Sequence, residues 1–402
     1  MKYALILLDG MADYPIPELD GKTPLESAKT PYMDMLAKTS QIGLVKTVPD
    51  GYKPGSDVAN LGALGYDARK CYTGRSPLEA LSIGIDMQED DLAMRTNTVT
   101  LSDDDDFDDK IMLDYSAGEI STQESRELIA YVDQKLGDEK FRFYGGVSYR
   151  HCLIVKHARP DEDLTPPHDI SGKRIGEYLP KGALGETLKT LIKRSYEILK
   201  DHPINKKRVA EGKNPANAIW FWGEGTKPCI EDFHSKYGKK GAMVSAVDLL
   251  KGIAIGSNMK SIDVEGATGN IHTNFDGKAK AAIDAFKNGS DFCMVHLEAP
   301  DECGHQGDLK GKIRSIEIID QKIIAPIYEH LKASGEDFAM LIMPDHYTPV
   351  SILTHSREPV PYMMYCSYKA LGANDLYNER TATDSGIYHE YPWEMTNEFF
   401  AL

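Results

Sequence analysis

The feature that most constrains this chain is a recurring pattern: a short, unbroken apolar run that stops abruptly at an acidic residue or a histidine. "YALILLDG" stops at Asp9, "DFCMVHLEAPD" runs to Asp301, and "FAMLIMPDH" stops at Asp345 and His346. "AIWFWGEG", from Ala218, is a fourth run with the same punctuation. Strands that are apolar throughout belong to a sheet covered on both faces, and such sheets are mostly parallel. Helical patterns lie between the runs: "PLESAKTPYMDMLAKT", "SAVDLLKGIAIGS", "GKAKAAIDAFKNG" and "IRSIEIIDQKIIAPIYEHLKAS". In the last, Ile313, Ile316, Ile319, Ile323 and Ile324 mark one buried face. The alternation predicts an α/β core, a mostly parallel sheet flanked by helices, with ligands at the carboxyl ends of its strands.

The 402 residues exceed one ordinary domain, and the middle of the chain has a different texture. "TNTVTLSDDDDFDDKIMLDYS", the helical "TQESRELIAYVDQKLG" and "KFRFYGGVSYRHCLIVK" read as hairpin, helix, hairpin, an α+β order. Residues 89–210 are therefore expected to form an inserted α+β domain, leaving 1–88 and 211–402 as a discontinuous core. The acidic run from Asp103 to Asp109 reads as a solvated hairpin tip, because nothing fixes its carboxylates in one geometry.

A formal net charge of -16 argues against nucleic acid or an anionic membrane as partner. It leaves an anionic small substrate open, since divalent cations bound by some of the carboxylates invert the local field. No apolar stretch reaches the roughly 18 residues of a membrane span, and "MKYALILLDG" reads as a strand, not as a signal peptide. The six cysteines (71, 152, 229, 293, 303 and 366) form no CxxC pair, so a reduced, cytoplasmic protein is expected.

Asp9, Asp301, His305, Asp345, His346 and His355 each follow an apolar strand or lie in the segment beyond it, which puts them at one sheet edge. Mixed carboxylate and imidazole ligation suits Zn²⁺ or Mn²⁺, with Mg²⁺ at an oxygen-rich position. Six groups exceed the needs of one catalytic ion, so two metals are the natural count. Taken one at a time the residues are ambiguous: Asp301 reads equally as a helix cap, and a lone histidine is more often structural. Ser56 in "PGSDVAN" is ambiguous too. Serine after Pro-Gly at a helix start is a favoured N-cap, although Ala59 stands where a capping box needs Glu or Gln. The alternative is a nucleophile activated by a metal, with helix N–H groups facing a phosphoryl group.

Several blocks together carry a resemblance: "LILLDGMAD", "PGSDVANLGALGYD", "GRSPLEA", "NPANAIWFWGEG", "VDLLKGI", "GATGNIHTNFDGKA", "HLEAPDECGHQGD" and "PDHYTPVSILTHSREPVPY". From Met1 nearly to the C-terminus the chain resembles the archaeal type of cofactor-independent phosphoglycerate mutases, members of the alkaline phosphatase superfamily. The resemblance implies an alkaline-phosphatase-like core, two divalent metals (Mn²⁺ or Zn²⁺, with Mg²⁺ or Co²⁺ also compatible) and no 2,3-bisphosphoglycerate. It assigns Asp301, His305 and His355 to one metal and Asp9, Ser56, Asp345 and His346 to the other. Ser56 would take the phosphoryl group of 3-phosphoglycerate and return it to the other hydroxyl, while an inserted domain holds the glycerate. Basic residues that suit contact with a small phosphorylated metabolite are Arg75, Arg95, Arg150, His151 and Lys251, with "SYRHC" the most persuasive setting. Glu119 in "DYSAGEIST" departs from the pattern, standing where the archaeal members carry histidine. That departure keeps open another phosphotransferase of the superfamily, such as a homoserine kinase, although no Gly-rich nucleotide loop is present.

Overall fold

The computed structural model describes all 402 residues, which divide into two compact units: Met1–Tyr72 with Cys229–Leu402, and Thr73–Pro228. The larger unit is built on an eight-stranded sheet. Its strands run, in spatial order, Lys260–Ile262, Gly241–Val244, Phe292–Leu297, Lys2–Leu8, Phe338–Met343, Val360–Cys366, Gln41–Val45 and Tyr388–His389. Val360–Cys366 is antiparallel to both of its neighbours, and the other pairings are parallel. The three central strands are apolar because helices cover both faces: every residue of Phe292–Leu297 and Phe338–Met343 is buried. The long helical pattern forms Leu309–Ile319, a π turn at Asp320–Ile324, and Ala325–Ser334, with Ile316, Ile319, Ile323, Ile324 and Ile327 in the core.

Register delivers the polar ends together. Leu7 pairs with Met343 and Leu8 with Leu297, so the chain leaves all three central strands at one level and Asp9 comes out beside Asp345. The turn that follows tolerates only glycine at position 10. Gly10 has φ 60°, and a Cβ there would meet Thr348 Oγ1 at 2.5 Å and Asp301 Oδ1 at 2.6 Å.

The smaller unit carries a five-stranded antiparallel sheet in which Leu92–Leu101 lies between Ala218–Thr226 and Arg150–Val155. Helices Thr122–Leu136 and Gly185–Leu199 supply its apolar cover. "AIWFWGEG" therefore does not join the parallel sheet, contrary to the sequence expectation. It pairs antiparallel with Leu92–Leu101, and Trp220 and Phe221 are fully buried in the core of the smaller unit. A continuous apolar run reports that both faces of a strand are covered, and that holds here without parallel pairing. The same pairing draws Ala218–Thr226 and the helix Arg75–Ser82 into the smaller unit, beyond the 89–210 limits read from sequence. The acidic run is a turn whose aspartates are exposed, with only Phe107 buried. No helix is long and apolar enough to cross a membrane, and none of the six cysteines is paired.

Candidate active site

The carboxyl edge of the large sheet gathers all seven residues expected there. Ligand atoms of Asp9, Asp345 and His346 lie within 4.8 Å of one another, as do those of Asp301, His346 and His355. His346 Nε2 is 3.5 Å from Asp9 Oδ1 and 3.5 Å from Asp345 Oδ2, and its ring stacks on that of His355 with centroids 3.9 Å apart. Asp301 and His305 stand four apart on the helix Ala299–Gln306, where that spacing puts side chains on one face. Asp301 Oδ2 is 3.3 Å from His305 Nε2 and its Oδ1 is 3.4 Å from His355 Nε2. Glu298 holds the N-cap position of this helix, so Asp301 is not its cap.

Ser56 opens the helix Ser56–Ala63 as its first residue. The cap is Gly55, and no side chain caps this helix. Its hydroxyl points instead into the acid–imidazole cluster, with Oγ 3.2 Å from His346 Nε2 and 3.4 Å from Asp9 Oδ2. Asn60, one turn on, donates to the Ser56 carbonyl (2.8 Å) and to Asp345 Oδ2 (2.9 Å), tying the helix start to the second carboxylate.

The three outer imidazoles turn the same way. His305 Nδ1 donates to the Leu353 carbonyl (3.0 Å) and His355 Nδ1 to the Pro54 carbonyl (3.2 Å), while His346 Nδ1 lies 3.2 Å from Thr348 Oγ1. Each contact directs Nε2 inward, as metal-ligating histidines require. Burial holds the His346 pKa below its ordinary value, which keeps it a neutral donor.

The donor set fits divalent cations. None of Asp9, Asp301 and Asp345 is ion-paired to a lysine or arginine; the ion-pair contacts they make are with histidines. Asp9 Oδ1 is buried without a hydrogen-bond partner. Burial, followed by the charges of Asp345, Asp301 and Glu298, drives the Asp9 pKa well above the carboxylate range. Asp9, buried beside other acids, carries its charge there only with a cation next to it, whereas hydrogen bonds from His305, His355 and Thr348 hold the Asp301 pKa down.

A fourth histidine, which the sequence reading missed, lies beneath Asp9. His296 is fully buried on the strand Phe292–Leu297, with Nε2 2.9 Å from Asp9 Oδ2 and Nδ1 3.2 Å from Ser245 Oγ. A neutral His296 facing the Asp9 carboxylate donates from Nε2, which leaves Nδ1 to accept the Ser245 hydroxyl proton, while Ser245 Oγ accepts from the Val247 amide (3.0 Å). Burial lowers the His296 pKa to about 3, so the ring is a neutral donor. The available signal was the one imidazole interrupting the apolar run "FCMVHL".

The basic candidates separate. In the smaller unit, Glu79 joins two of them: its Oε1 is 3.0 Å from Arg75 Nε and its Oε2 3.0 Å from Arg95 Nε. Arg95 is buried, with its guanidinium 4.1 Å from the Trp222 ring centre. Burial, and then the charges of Arg75 and Arg150, lower its pKa. His151 does not join them as an accessible base. It is buried, its Nδ1 accepts from the Gly146 amide (3.1 Å), and its pKa falls to about 3, which makes it a brace for the turn that presents Arg150. Lys251, in the larger unit, pairs with Asp263 at 2.6 Å. Glu119 is exposed, with φ 49°.

A mostly parallel α/β sheet that carries this donor set and an uncapped helix-start hydroxyl is a frame suited to metal-assisted group transfer on a serine. Residues 37–205 match a family model described as 2,3-bisphosphoglycerate-independent phosphoglycerate mutase. The protein of that name from Methanosarcina barkeri is 51% identical over 366 residues, 91% of this chain and 90% of the relative. A probable member from Geobacter sulfurreducens is 46% identical over 388 residues, 96% of each chain. Among solved structures, a Pyrococcus horikoshii protein superposes with a TM-score of 0.82 at 32% identity, covering 100% of this chain and 96% of that one. The cofactor-independent phosphoglycerate mutase of Thermoplasma acidophilum gives 0.68 at 25% identity, covering 100% of both chains. The chain belongs to the 2,3-bisphosphoglycerate-independent phosphoglycerate mutase family.

Proposed function

We propose that the protein interconverts 3-phosphoglycerate and 2-phosphoglycerate through a phosphoserine at Ser56, with two divalent cations at the sheet edge. The observation that carries this reading is the placement of Ser56 Oγ, 3.2 Å from His346 Nε2 and 3.4 Å from Asp9 Oδ2, on a helix it does not cap. Asp301, His305 and His355 would hold one cation, and Asp9, Ser56, Asp345 and His346 the other. When bound, the pair neutralises charge on the phosphoryl oxygens and lowers the pKa of the serine hydroxyl. Mn²⁺ or Zn²⁺ suits this mixture of carboxylate and imidazole donors best.

Ser56 Oγ loses its proton and attacks phosphorus, the bond from phosphorus to the C3 oxygen breaks, and that oxygen takes up one proton in place of the one the serine lost. The glycerate then turns so that its C2 hydroxyl attacks the phosphoserine, losing its proton while the freed Ser56 oxygen regains one. Amides at the start of the helix Ser56–Ala63 would share the charge of the transferred group. Arg75, Arg95 and Arg150 offer planar donors for the carboxylate and phosphate of the substrate, and Lys251 adds a further cation. On this reading water must be kept from the phosphoserine while the glycerate turns, which separates a mutase from a phosphatase. Six unpaired cysteines suit a reducing, cytoplasmic setting.

The test is to load the protein with Mn²⁺, Co²⁺ or Zn²⁺, supply 3-phosphoglycerate, and couple the product to enolase. Formation of 2-phosphoglycerate without added 2,3-bisphosphoglycerate is expected. No product with any of the three metals, or consumption of ATP that depends on homoserine, would overturn the reading.

A further inference from the structure

Of the three imidazoles that turn Nε2 inward, two are oriented by backbone carbonyls, of Leu353 and Pro54, and a carbonyl can only accept. The third, His346, is oriented by a side-chain hydroxyl. Thr348 Oγ1 lies 3.2 Å from His346 Nδ1 and 2.5 Å from Asp301 Oδ1, a residue 47 positions away in the chain. A hydroxyl has one proton. A carboxylate that ligates a metal has none, so the short contact to Asp301 uses the threonine proton. The contact to His346 must then be donated by Nδ1–H, which leaves the Nε2 lone pair facing Asp9, Asp345 and Ser56.

We propose that Thr348 is the positioning residue that couples the two ligand groups, fixing Asp301 in one and the tautomer of His346 in the other through a single hydroxyl. The inference rests on the two-cation reading of the sheet edge. The residue is held for this task on every side. It is fully buried, and Lys312 Nζ donates to its carbonyl (2.8 Å) as well as to Asp13 Oδ2 (2.8 Å). Two glycines leave room for it. A Cβ on Gly10 would lie 2.5 Å from Oγ1, and one on Gly304 would lie 2.3 Å from the carbonyl oxygen. Either addition would drive the threonine off its two partners. Occupancy of one ligand group therefore stiffens the other, and loss of the hydroxyl should weaken both together.

Thr348→Val keeps the shape and removes the hydroxyl, and Thr348→Ser restores it. Calorimetric titration of the metal-free proteins with Mn²⁺ reads both sites without turnover. Wild type and T348S should bind two ions with similar affinities, whereas T348V should weaken both by roughly 10- to 100-fold. A T348V protein that binds two ions as wild type does, or that weakens only one, would overturn the coupling. Wild type binding fewer than two ions would instead sink the two-cation reading. A second measurement is independent of ion count and of whether T348V folds. In ¹⁵N-histidine-labelled, metal-free wild type, the His346 resonances should show Nδ1 protonated and Nε2 bare. The reverse tautomer would overturn the proposal.

Discussion

His346 Nε2 stands 3.2 Å from Ser56 Oγ across 290 residues of chain. The contact exists because the strand Phe338–Met343 ends level with Lys2–Leu8 and Asn60 pins the serine helix to Asp345. The proposed nucleophilic role of the serine rests on this contact. A capping hydroxyl faces the amides of its own helix, and this one faces ligands from two other segments.

Ser56→Ala should leave both cations bound and reduce turnover by at least about a thousand-fold, since in the proposed mechanism the residue supplies the attacking atom. Metal analysis together with the enolase-coupled assay reads both halves. Wild type quenched in acid during turnover should carry a phosphoryl group on the peptide containing Ser56. A fully active alanine variant would refute the mechanism.

On the two-cation reading His296 would act on a bound ion through Asp9, whose Oδ2 it engages while Oδ1 has no hydrogen-bond partner. His296→Ala and Ser245→Ala should each lower Mn²⁺ affinity by roughly 10- to 100-fold, as loss of an outer-shell partner does. Titration calorimetry of the two variants would measure it, and unchanged affinity in both would remove His296 from the metal centre.

Proton release should accompany metal uptake. In the metal-free protein the hydrogen bond to Asp301, reinforced by its charge, raises the His305 pKa from 6.5 to about 9, so the ring is protonated at neutral pH. A cation needs the neutral ring, so affinity should rise with pH until about 9 and fall in acid. The same shift favours the metal-free fold at low pH. This contribution is complete below about 6.5 and is lost as pH rises through about 9. Calorimetry in two buffers of different ionisation enthalpy counts the protons. An uptake that releases none at pH 7 would contradict the assignment of His305.

Lys312 and Asp13 form an ion pair with side chains 0% and 1% exposed. Lys312→Met should destabilise the protein by about 3–5 kcal/mol, because the Asp13 charge is left buried and unpaired. Adding Asp13→Asn should recover part of that loss. Urea unfolding of the single and double variants measures both. Equal stability of wild type and K312M would show that the pair contributes nothing.

Much of the large sheet was legible because its strands carry their burial in their composition. "LILL", "FCMVHL" and "FAMLIM" are apolar on both faces, and the acid that ends each marks where the chain leaves the core. The same property misled at "AIWFWGEG", where an antiparallel sheet under helices buries Trp220 and Phe221 as completely as a parallel one would. Local composition records the fact of burial and carries no information about the neighbouring strand.

The sequence by itself determined which side chains can take part in chemistry: three aspartates, three histidines and a serine, each beside a strand end or a helix start. Only the tertiary structure decided how they are used. Ser56 lost its capping role because Gly55 occupies the cap. His296 entered the site because strand register sets it under Asp9, and Thr348 because a turn brings one hydroxyl within reach of two ligand groups. Hydrogen bonds act over about 3 Å and need defined angles, so their pattern follows from how distant segments pack.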